Sequence, residues 1–263
     1  MVQANNYIIE NFDPEVLREY DIRGVVGENI NENTAYTIGR TFGHTVKSKL
    51  TSHTIVTGYD GRLTSPSLHK ALCEGLKDSG VKVINIGMGP TPMTYFAHYH
   101  FEADAAVMLT GSHNPSEYNG FKMVFNKHSF FAEEIQSLQK LLDNNALELA
   151  NGQIIEQDIT KEYIERDLLN ISLNRKLKVA WDPGNGAMGK VTRDITEKLI
   201  NSENIIINEE VDGNFPNHHP DPTVPKNMIQ LIETVKENNC DIGLAFDGDG
   251  DRLGVIDNQG NIV

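Results

Sequence analysis

Short apolar runs alternate with helical patterns along this chain, and the alternation limits the folds that it can adopt. Two of the runs, Ala105–Leu109 and Ile242–Phe246, have the length and composition of buried strands. Between such runs, apolar residues return every three or four positions, as at Ala35, Ile38 and Phe42, which predicts helices. Strands separated by helices favour a parallel sheet, because parallel strands need a crossover connection. We therefore expect an α/β fold of two similar three-layer domains, each with a mainly parallel mixed sheet flanked by helices.

A polar segment at residues 143–157 interrupts the alternation and is the candidate linker between the domains. It is rich in asparagine, carries Gly152 and lacks the apolar spacing of its neighbours. We expect a first domain over residues 1–152 and a second domain over residues 153–263.

Charge, hydropathy and cysteine content limit the partners and the compartment that we expect for this chain. The 263 residues carry a formal net charge of −14, so a nucleic-acid partner is not expected, because phosphate backbones attract basic surfaces. No apolar run approaches the roughly 20 residues of a membrane span, and the first residues lack the pattern of a signal peptide. The two cysteines, Cys73 and Cys240, lie far apart and are expected to be free thiols. These features favour a cytoplasmic protein without a membrane partner.

Two loops that directly follow apolar runs hold the side chains best suited to chemistry. The first, residues 110–122, is called the serine loop; it presents Ser112, His113 and Lys122 among turn residues. The second, Asp-Gly-Asp-Gly-Asp-Arg at residues 247–252, is called the aspartate loop. Its three carboxylates repel one another unless a cation lies between them, and Mg²⁺ takes such oxygen ligands. The two loops together indicate phosphoryl transfer at a metal-assisted serine.

Each of these features also has a simpler interpretation. Ser112 alone would be an ordinary turn serine, and the aspartates alone would be an acidic turn without a metal. A calcium-binding EF-hand loop is excluded, because Arg252 stands where that loop needs glycine and Asn258 stands where it needs glutamate. His218 and His219 lie in a proline-rich stretch without a matching ligand pattern, and we interpret them as loop residues.

Four segments in sequence order resemble motifs of the α-D-phosphohexomutase superfamily, in particular its phosphomannomutase/phosphoglucomutase branch. They are Glu-Tyr-Asp-Ile-Arg-Gly at 19–24, Gly-Tyr-Asp-Gly-Arg at 58–62, the serine loop and the aspartate loop. The resemblance covers nearly the whole chain. Members of this superfamily have four domains, and the four segments match the first two. The resemblance therefore implies an N-terminal fragment from which domains III and IV are absent.

The resemblance also implies a role for each residue of the site. The implied Mg²⁺ ligands are Ser112, Asp247, Asp249 and Asp251. The implied catalytic residues are Ser112, Lys122, Arg23 and His113, and the implied substrate or phosphate contacts are Arg252 and Tyr20. Ser112 would carry a phosphate, donate it to the sugar and receive one back. Lys122, together with Arg23, would serve in proton transfer with the sugar hydroxyl. Crowding with Arg23 and Arg252 is expected to lower the pKa of Lys122.

The implied reaction interconverts hexose 1-phosphate and hexose 6-phosphate through a bisphosphorylated sugar. The implied partner is a phosphohexose, with mannose or glucose as the sugar, and a hexose 1,6-bisphosphate is the implied activator. Two alternatives remain open at this point. The chain could be a phosphorylatable metal-binding module without turnover of its own, or a metal-dependent sugar phosphatase, which would release phosphate without isomerising the sugar.

Overall fold

The computed structural model describes residues 6–144 and 147–263 and contains one sheet in each half of the chain. The first half holds β1 (Ile22–Val25), α1 (Glu32–Lys49), β2 (Thr54–Tyr59), α2 (Ser65–Asp78), β3 (Lys82–Met88), α3 (Thr91–His100), β4 (Ala105–Leu109), β5 (Tyr118–Phe125), β6 (His128–Ser129), α4 (Glu133–Asp143) and β7 (Gln153–Glu156). The second half holds α5 (Thr160–Leu168), β8 (Leu177–Asp182), α6 (Met188–Lys198), β9 (Ser202–Ile206), a short 3₁₀ helix (Pro225–Met228), α7 (Ile229–Asn238), β10 (Ile242–Phe246) and β11 (Leu253–Asp257). The expected α/β class, with two sheets flanked by helices, is confirmed.

The first sheet has the strand order β1-β5-β4-β2-β3-β7, and β6 pairs with β5. Strand β2 is parallel to β3 and β4, and β7 is parallel to β3, whereas β5 is antiparallel to its neighbours. Successive side chains of a strand point to opposite faces. Ile55 and Val83 accordingly pack on one face of the sheet, and Val56 and Ile84 pack on the other. The parallel strands end at a common edge, where β4 leads into the serine loop.

Helices α1 and α2 cover one face of this sheet and pack closely against each other. Asn31 is the N-cap of helix α1, and its side chain accepts a hydrogen bond from the backbone N–H of Thr34. The Thr34 hydroxyl accepts one from the backbone N–H of Asn31 in return, which completes a capping box. A Cβ atom on Gly75 of α2 would lie 2.2 Å from the carbonyl oxygen of Tyr36 in α1. Only glycine permits the helices to approach this closely.

The opposite face of the first sheet is covered by α3 and by two helices of the second half, α5 and α6. The buried residues of this shared core are Val56, Ile84, Ile86, Met93, Ala97, Ala103, Ala106, Ile159, Tyr163, Met188 and Val191. The second sheet has the order β11-β10-β8-β9, with β11 antiparallel to β10 and the other pairs parallel. Helix α7 packs on it through a further buried cluster. The two halves are therefore joined by apolar contacts as well as by the chain.

The predicted linker at residues 143–157 is wrong in part. Gln153–Glu156 forms β7, which pairs with β3 and extends the first sheet. The predicted boundary between residues 152 and 153 thus falls just before the last strand of that sheet. Residues 1–5 of the first predicted domain and residues 145–146 of the predicted linker lie outside the described residues. Among the residues that the structure describes, no helix has the length and apolar character that crossing a bilayer requires.

The turn after β2 holds the serine loop through the buried ion pair of Asp60 and Arg62. Both side chains are 1% exposed, and Nε of Arg62 lies 3.2 Å from Oδ2 of Asp60. The guanidinium donates to the carbonyl oxygens of Ser112 (2.9 Å), Asn114 (2.7 Å), Pro115 (2.5 Å) and Tyr118 (3.0 Å). Asp60 accepts from the Thr110 hydroxyl at 2.8 Å and from the Gly111 N–H at 3.1 Å. A planar cation with five N–H donors can satisfy this set of acceptors, whereas a lysine ammonium cannot.

Replacing Arg62 with lysine is expected to lower the free energy of unfolding by roughly 3 kcal/mol, because several buried carbonyl groups lose their donor. Chemical denaturation of both proteins measures the difference. The matched control is Arg193→Lys, since Arg193 is 60% exposed and pairs only at the surface with Glu209. That control is expected to change the free energy of unfolding by less than about 0.5 kcal/mol. Equal effects of the two substitutions would contradict the role given to Arg62.

A buried histidine, His69, makes the stability of the fold depend on pH. The His69 ring in α2 is 3% exposed and lies against the Tyr59 ring, with centroids 4.7 Å apart. Burial lowers the pKa of His69 from its ordinary value of 6.5 to about 4. Between these two values the unfolded chain takes up a proton that the folded chain does not. Stability therefore falls as the pH drops through this window and is retained above it.

The free energy of unfolding is expected to decrease by about 3 kcal/mol through His69 between pH 6.5 and pH 4. Urea denaturation at several pH values measures this slope, and His69→Phe should make it shallower by that amount. The control is His100→Phe, because His100 is exposed. An unchanged slope in His69→Phe would show that His69 does not titrate abnormally.

Candidate active site

Ser112 lies in the loop between β4 and β5, close to the aspartate loop. It is buried and has a φ of +52°, a left-handed backbone conformation that residues with side chains seldom adopt. Its hydroxyl oxygen lies 3.2 Å from Nδ1 of His113 and 3.3 Å from Oδ2 of Asp247. Its backbone N–H donates to the Thr110 hydroxyl at 2.7 Å. The serine side chain is thus held between a histidine of its own loop and a carboxylate of the other.

The aspartate loop, at the end of β10, gathers its three carboxylates. Asp247 and Asp249 are fully buried, and Asp251 is exposed. Oδ1 of Asp247 accepts hydrogen bonds from the backbone N–H groups of Asp251 at 3.0 Å and Arg252 at 3.1 Å, which folds the loop around this carboxylate. One oxygen from each of the three aspartates lies within 4.8 Å of the others. This spacing brings three negative groups to one place.

Asp249 provides a test of whether these residues fit a metal ion. Its Oδ2 accepts from the Thr91 hydroxyl at 2.5 Å and from Nζ of Lys122 at 2.6 Å. Its Oδ1 is buried and finds no hydrogen-bond partner within the described part of the chain. A buried carboxylate oxygen without a partner is costly. A hard divalent cation would supply that partner, so the residues present fit Mg²⁺.

The clustered charges change the protonation of the two buried aspartates in opposite directions. Burial, with the repulsion of Asp249 and Asp251, raises the pKa of Asp247 to about 8. Burial would also raise the pKa of Asp249, but the neighbouring Lys122 ammonium lowers it below the ordinary value. Two acidic groups so close together cannot both stay ionised without a nearby positive charge.

Lys122 supplies this positive charge. Its pKa is raised, whereas the sequence predicted a lowered value. Nζ of Lys122 lies 2.6 Å from Oδ2 of Asp249 and 2.6 Å from Oδ2 of Asp251. Burial would lower the pKa of Lys122, but the two carboxylates outweigh it and raise the pKa above its usual value. The expected lowering by Arg23 and Arg252 is therefore wrong, because carboxylates rather than guanidiniums are its nearest charged neighbours.

The remaining predicted residues, His113, Arg252, Arg23 and Tyr20, differ in their exposure and in their contacts with the two loops. Burial and the charge of Arg252 lower the pKa of His113, whereas Arg252 itself is exposed. Arg23 donates to the side-chain oxygen of Asn114, in the serine loop, at 2.7 Å. Tyr20 is 75% exposed and, among the described residues, takes part in none of the contacts that join the two loops.

Arg62 and Thr91 contact these loops and are not among the predicted site residues. Arg62 belongs to the segment 58–62, which carries part of the family resemblance, and that resemblance gave it no role. Thr91, at the start of α3, holds Asp249 twice: the hydroxyl donates to the side chain, and the N–H donates to the carbonyl oxygen at 2.8 Å. Thr91 and Asp249 are 158 residues apart in sequence, so no local pattern could have paired them.

His218 and His219 lie in the loop between β9 and the 3₁₀ helix, as interpreted from the sequence. Nε2 of His218 lies 2.9 Å from Oδ2 of Asp182. Nε2 of His219 lies 2.6 Å from the carbonyl oxygen of His113. Within the described ranges, neither histidine belongs to the group of side chains that could hold a metal ion together. His219 nevertheless contacts the serine loop, which the sequence pattern does not reveal.

Comparison with known proteins places the chain in a family. The models for phosphoglucomutase/phosphomannomutase alpha/beta/alpha domain I and domain II match residues 14–148 and 161–260. A phosphomannomutase/phosphoglucomutase of Pseudomonas putida is 48% identical over 94% of this chain and 53% of its own length. A phosphoglucomutase of Neisseria meningitidis is 42% identical over 96% of this chain and 55% of its own length. The chain spans about half the length of the curated relatives that it matches.

Solved structures agree with these relatives. The crystal structure of a phosphoglucomutase/phosphomannomutase family protein from Burkholderia thailandensis has a TM-score of 0.90 and 39% identity, over 96% of this chain and 56% of that one. The open form of pp63/parafusin from Paramecium, at 16% identity, shares the fold with a TM-score of 0.75 over 96% of this chain and 54% of that one. The resemblance inferred from the four sequence segments is confirmed. The chain therefore belongs to the phosphoglucomutase/phosphomannomutase family, within the α-D-phosphohexomutase superfamily.

Proposed function

We propose that this chain carries the phosphoserine half of a phosphohexomutase that interconverts hexose 1-phosphate and hexose 6-phosphate. The observation that carries the proposal is the position of the Ser112 hydroxyl, 3.3 Å from a carboxylate of Asp247 and beside a cluster that fits a divalent cation. The names of the related proteins support a mutase of mannose or glucose phosphates. The sugar itself is either mannose or glucose.

The proposed reaction transfers one phosphoryl group in each direction. The bond from Oγ of Ser112 to phosphorus breaks as a bond from a sugar hydroxyl oxygen to that phosphorus forms. The bisphosphorylated sugar then returns its other phosphoryl group to Ser112, which restores the phosphoserine. A phosphoserine adds roughly −1.5 to −2 charges to a place that already holds three carboxylates. A bound Mg²⁺ would offset the charge of the transferring group.

Three cationic side chains have separate tasks in this proposal. The exposed Arg252 binds substrate phosphate, because a guanidinium can donate to two phosphate oxygens at once. Arg23 contacts the serine loop through Asn114, and its proposed task is to orient the same substrate. Lys122 is an ammonium while it contacts Asp249 and Asp251. It can exchange a proton with the sugar hydroxyl only when another cation engages those two carboxylates.

His113 and Tyr20 complete the proposed set. The imidazole of His113 is neutral near pH 7, because burial and the charge of Arg252 lower its pKa. Its Nδ1 forms a hydrogen bond with the Ser112 hydroxyl. Tyr20 is exposed near Arg23 and is proposed to contact the sugar. The hexose 1,6-bisphosphate activator would load phosphate onto Ser112.

The wider setting of the reaction is part of the same proposal. Turnover of a phosphohexose is proposed to need the part of the relatives' length that this chain does not match, and the isolated chain to be inactive. We place the division between its two domains after Glu156, because β7 belongs to the first sheet. Cys73 and Cys240 are both buried and free, which fits the reducing cytoplasm.

Covalent phosphate on Ser112 is the direct test. After incubation with glucose 1,6-bisphosphate and MgCl₂, intact-mass measurement is expected to show one added phosphate, mapped to Ser112 by peptide sequencing. Ser112→Ala should abolish the addition. Ser116→Ala, which changes an exposed serine of the same loop, should leave it unchanged. Phosphate on another residue, or none on the wild-type chain, would contradict the proposal.

Release of phosphate from a hexose phosphate without isomerisation would favour the phosphatase alternative. Loading without turnover, even in the full-length protein, would favour the metal-binding module.

Magnesium is expected to raise the melting temperature of the chain, and removal of the metal with EDTA should reverse the rise, because the ion binds only the folded aspartate loop. Asp249→Asn should abolish the difference between the two conditions, since it removes a buried ligand. The matched control is Glu237→Gln, an exposed acid on α7, which should keep the full difference. A metal-dependent rise that survives Asp249→Asn would place the cation elsewhere.

A further inference from the structure

We propose that His219 is a positioning residue for Ser112, acting from the second half of the chain through the backbone of His113. The inference rests on the proposed function for the role of Ser112. It adds to that function a residue that the family resemblance does not name. Its basis is the set of hydrogen bonds that the serine loop accepts.

The carbonyl groups of the serine loop are held by donors from both halves of the chain. Arg62, from the first half, donates hydrogen bonds to the carbonyl oxygens of Ser112, Asn114 and Pro115. His219 donates to the carbonyl oxygen of His113, which lies between these residues in sequence, at 2.6 Å. A carbonyl oxygen only accepts, so Nε2 of His219 must carry the proton. Every carbonyl group from residue 112 to residue 115 therefore has a donor, and His219 completes the series.

The backbone of the serine loop needs this support. A left-handed φ of +52° at Ser112 is unfavourable for a residue with a side chain, and such strain persists only where surrounding contacts impose it. The peptide group that follows His113 is fixed by His219, and the peptide group that follows Ser112 is fixed by Arg62. Loss of the His219 bond would free the loop to relax at the residue that accepts and donates phosphate.

The same bond also orients a side chain that touches Ser112. The His113 ring places Nδ1 3.2 Å from the Ser112 hydroxyl, while the carbonyl group of the same residue accepts from His219. A rotation of this peptide group would move the ring and alter its contact with the hydroxyl. His219 thus acts on the Ser112 hydroxyl indirectly, through the backbone of His113.

His219 is itself held on the second sheet. Its neighbour His218 contacts Oδ2 of Asp182 at the end of β8, at 2.9 Å. Asn217 donates to the side-chain oxygen of Asn185 at 2.9 Å. These two contacts fix the segment before His219, so its imidazole approaches the serine loop from a defined direction. The second half of the chain therefore contributes a positioning contact as well as the aspartates.

A matched pair of substitutions at His219 separates hydrogen bonding from packing. His219→Phe keeps a ring of similar shape without an N–H, and His219→Gln keeps an N–H that can reach a carbonyl group. His128→Gln is the control, because His128 is an exposed histidine on β6. Amide hydrogen exchange of peptides covering residues 111–118 reports the order of the serine loop. The rate of phosphate uptake by Ser112 from glucose 1,6-bisphosphate with MgCl₂ reports its reactivity.

His219→Phe is expected to speed exchange in this peptide and to slow phosphate uptake, each roughly tenfold, as for the loss of one hydrogen bond. His219→Gln should restore at least half of both effects, and His128→Gln should leave both near wild type. Equal exchange in His219→Phe and wild type would overturn the inference, as would a failure of His219→Gln to recover. If wild type takes up no phosphate, the proposed function fails, while the exchange measurement still decides whether His219 orders the loop.

Discussion

A buried guanidinium, that of Arg62, is the interaction on which the site depends. Removing such a group from water is unfavourable unless its N–H groups all find acceptors, and here Asp60 and four carbonyl groups of the serine loop supply them. The requirement is reciprocal, because those carbonyl groups would be buried without a donor if the arginine were absent. The serine loop has its shape because a cation in the turn after β2 needs acceptors in that arrangement.

The second constraint is electrostatic. Three carboxylates meet beside the hydroxyl of Ser112, and the cluster compensates by raising the pKa of Asp247 and by drawing in Lys122. A site assembled in this way has a strong affinity for positive charge and would resist a further negative group unless that charge is offset. The proposed phosphoserine chemistry would need both properties, because the phosphate must be held and must also leave.

Much of the fold could be predicted from the sequence, since the buried strands are apolar runs and the apolar spacing of Ala35, Ile38 and Phe42 falls within α1. Strand β7 could not, because it is a four-residue, mostly exposed edge strand within a polar stretch, and its place in the sheet depends on pairing with β3. The serine and the aspartates were found from local composition and a family resemblance. The charge state of Lys122 was not, because its partners, Asp249 and Asp251, lie more than a hundred residues away. Local patterns reveal elements and loops, whereas contacts between loops need the fold.

The shared core between the halves has a mechanical consequence. The face of the first sheet that carries Val56 and Ile84 is covered in part by α5 and α6, which belong to the second half. Separating the halves would expose this face to water, so they should unfold in one step and move together. In the proposed reaction, any hinge that admits a sugar would therefore lie outside the joint between these two sheets. Ser112 and the three aspartates would then keep one fixed distance throughout the proposed cycle, while the substrate reorients against them.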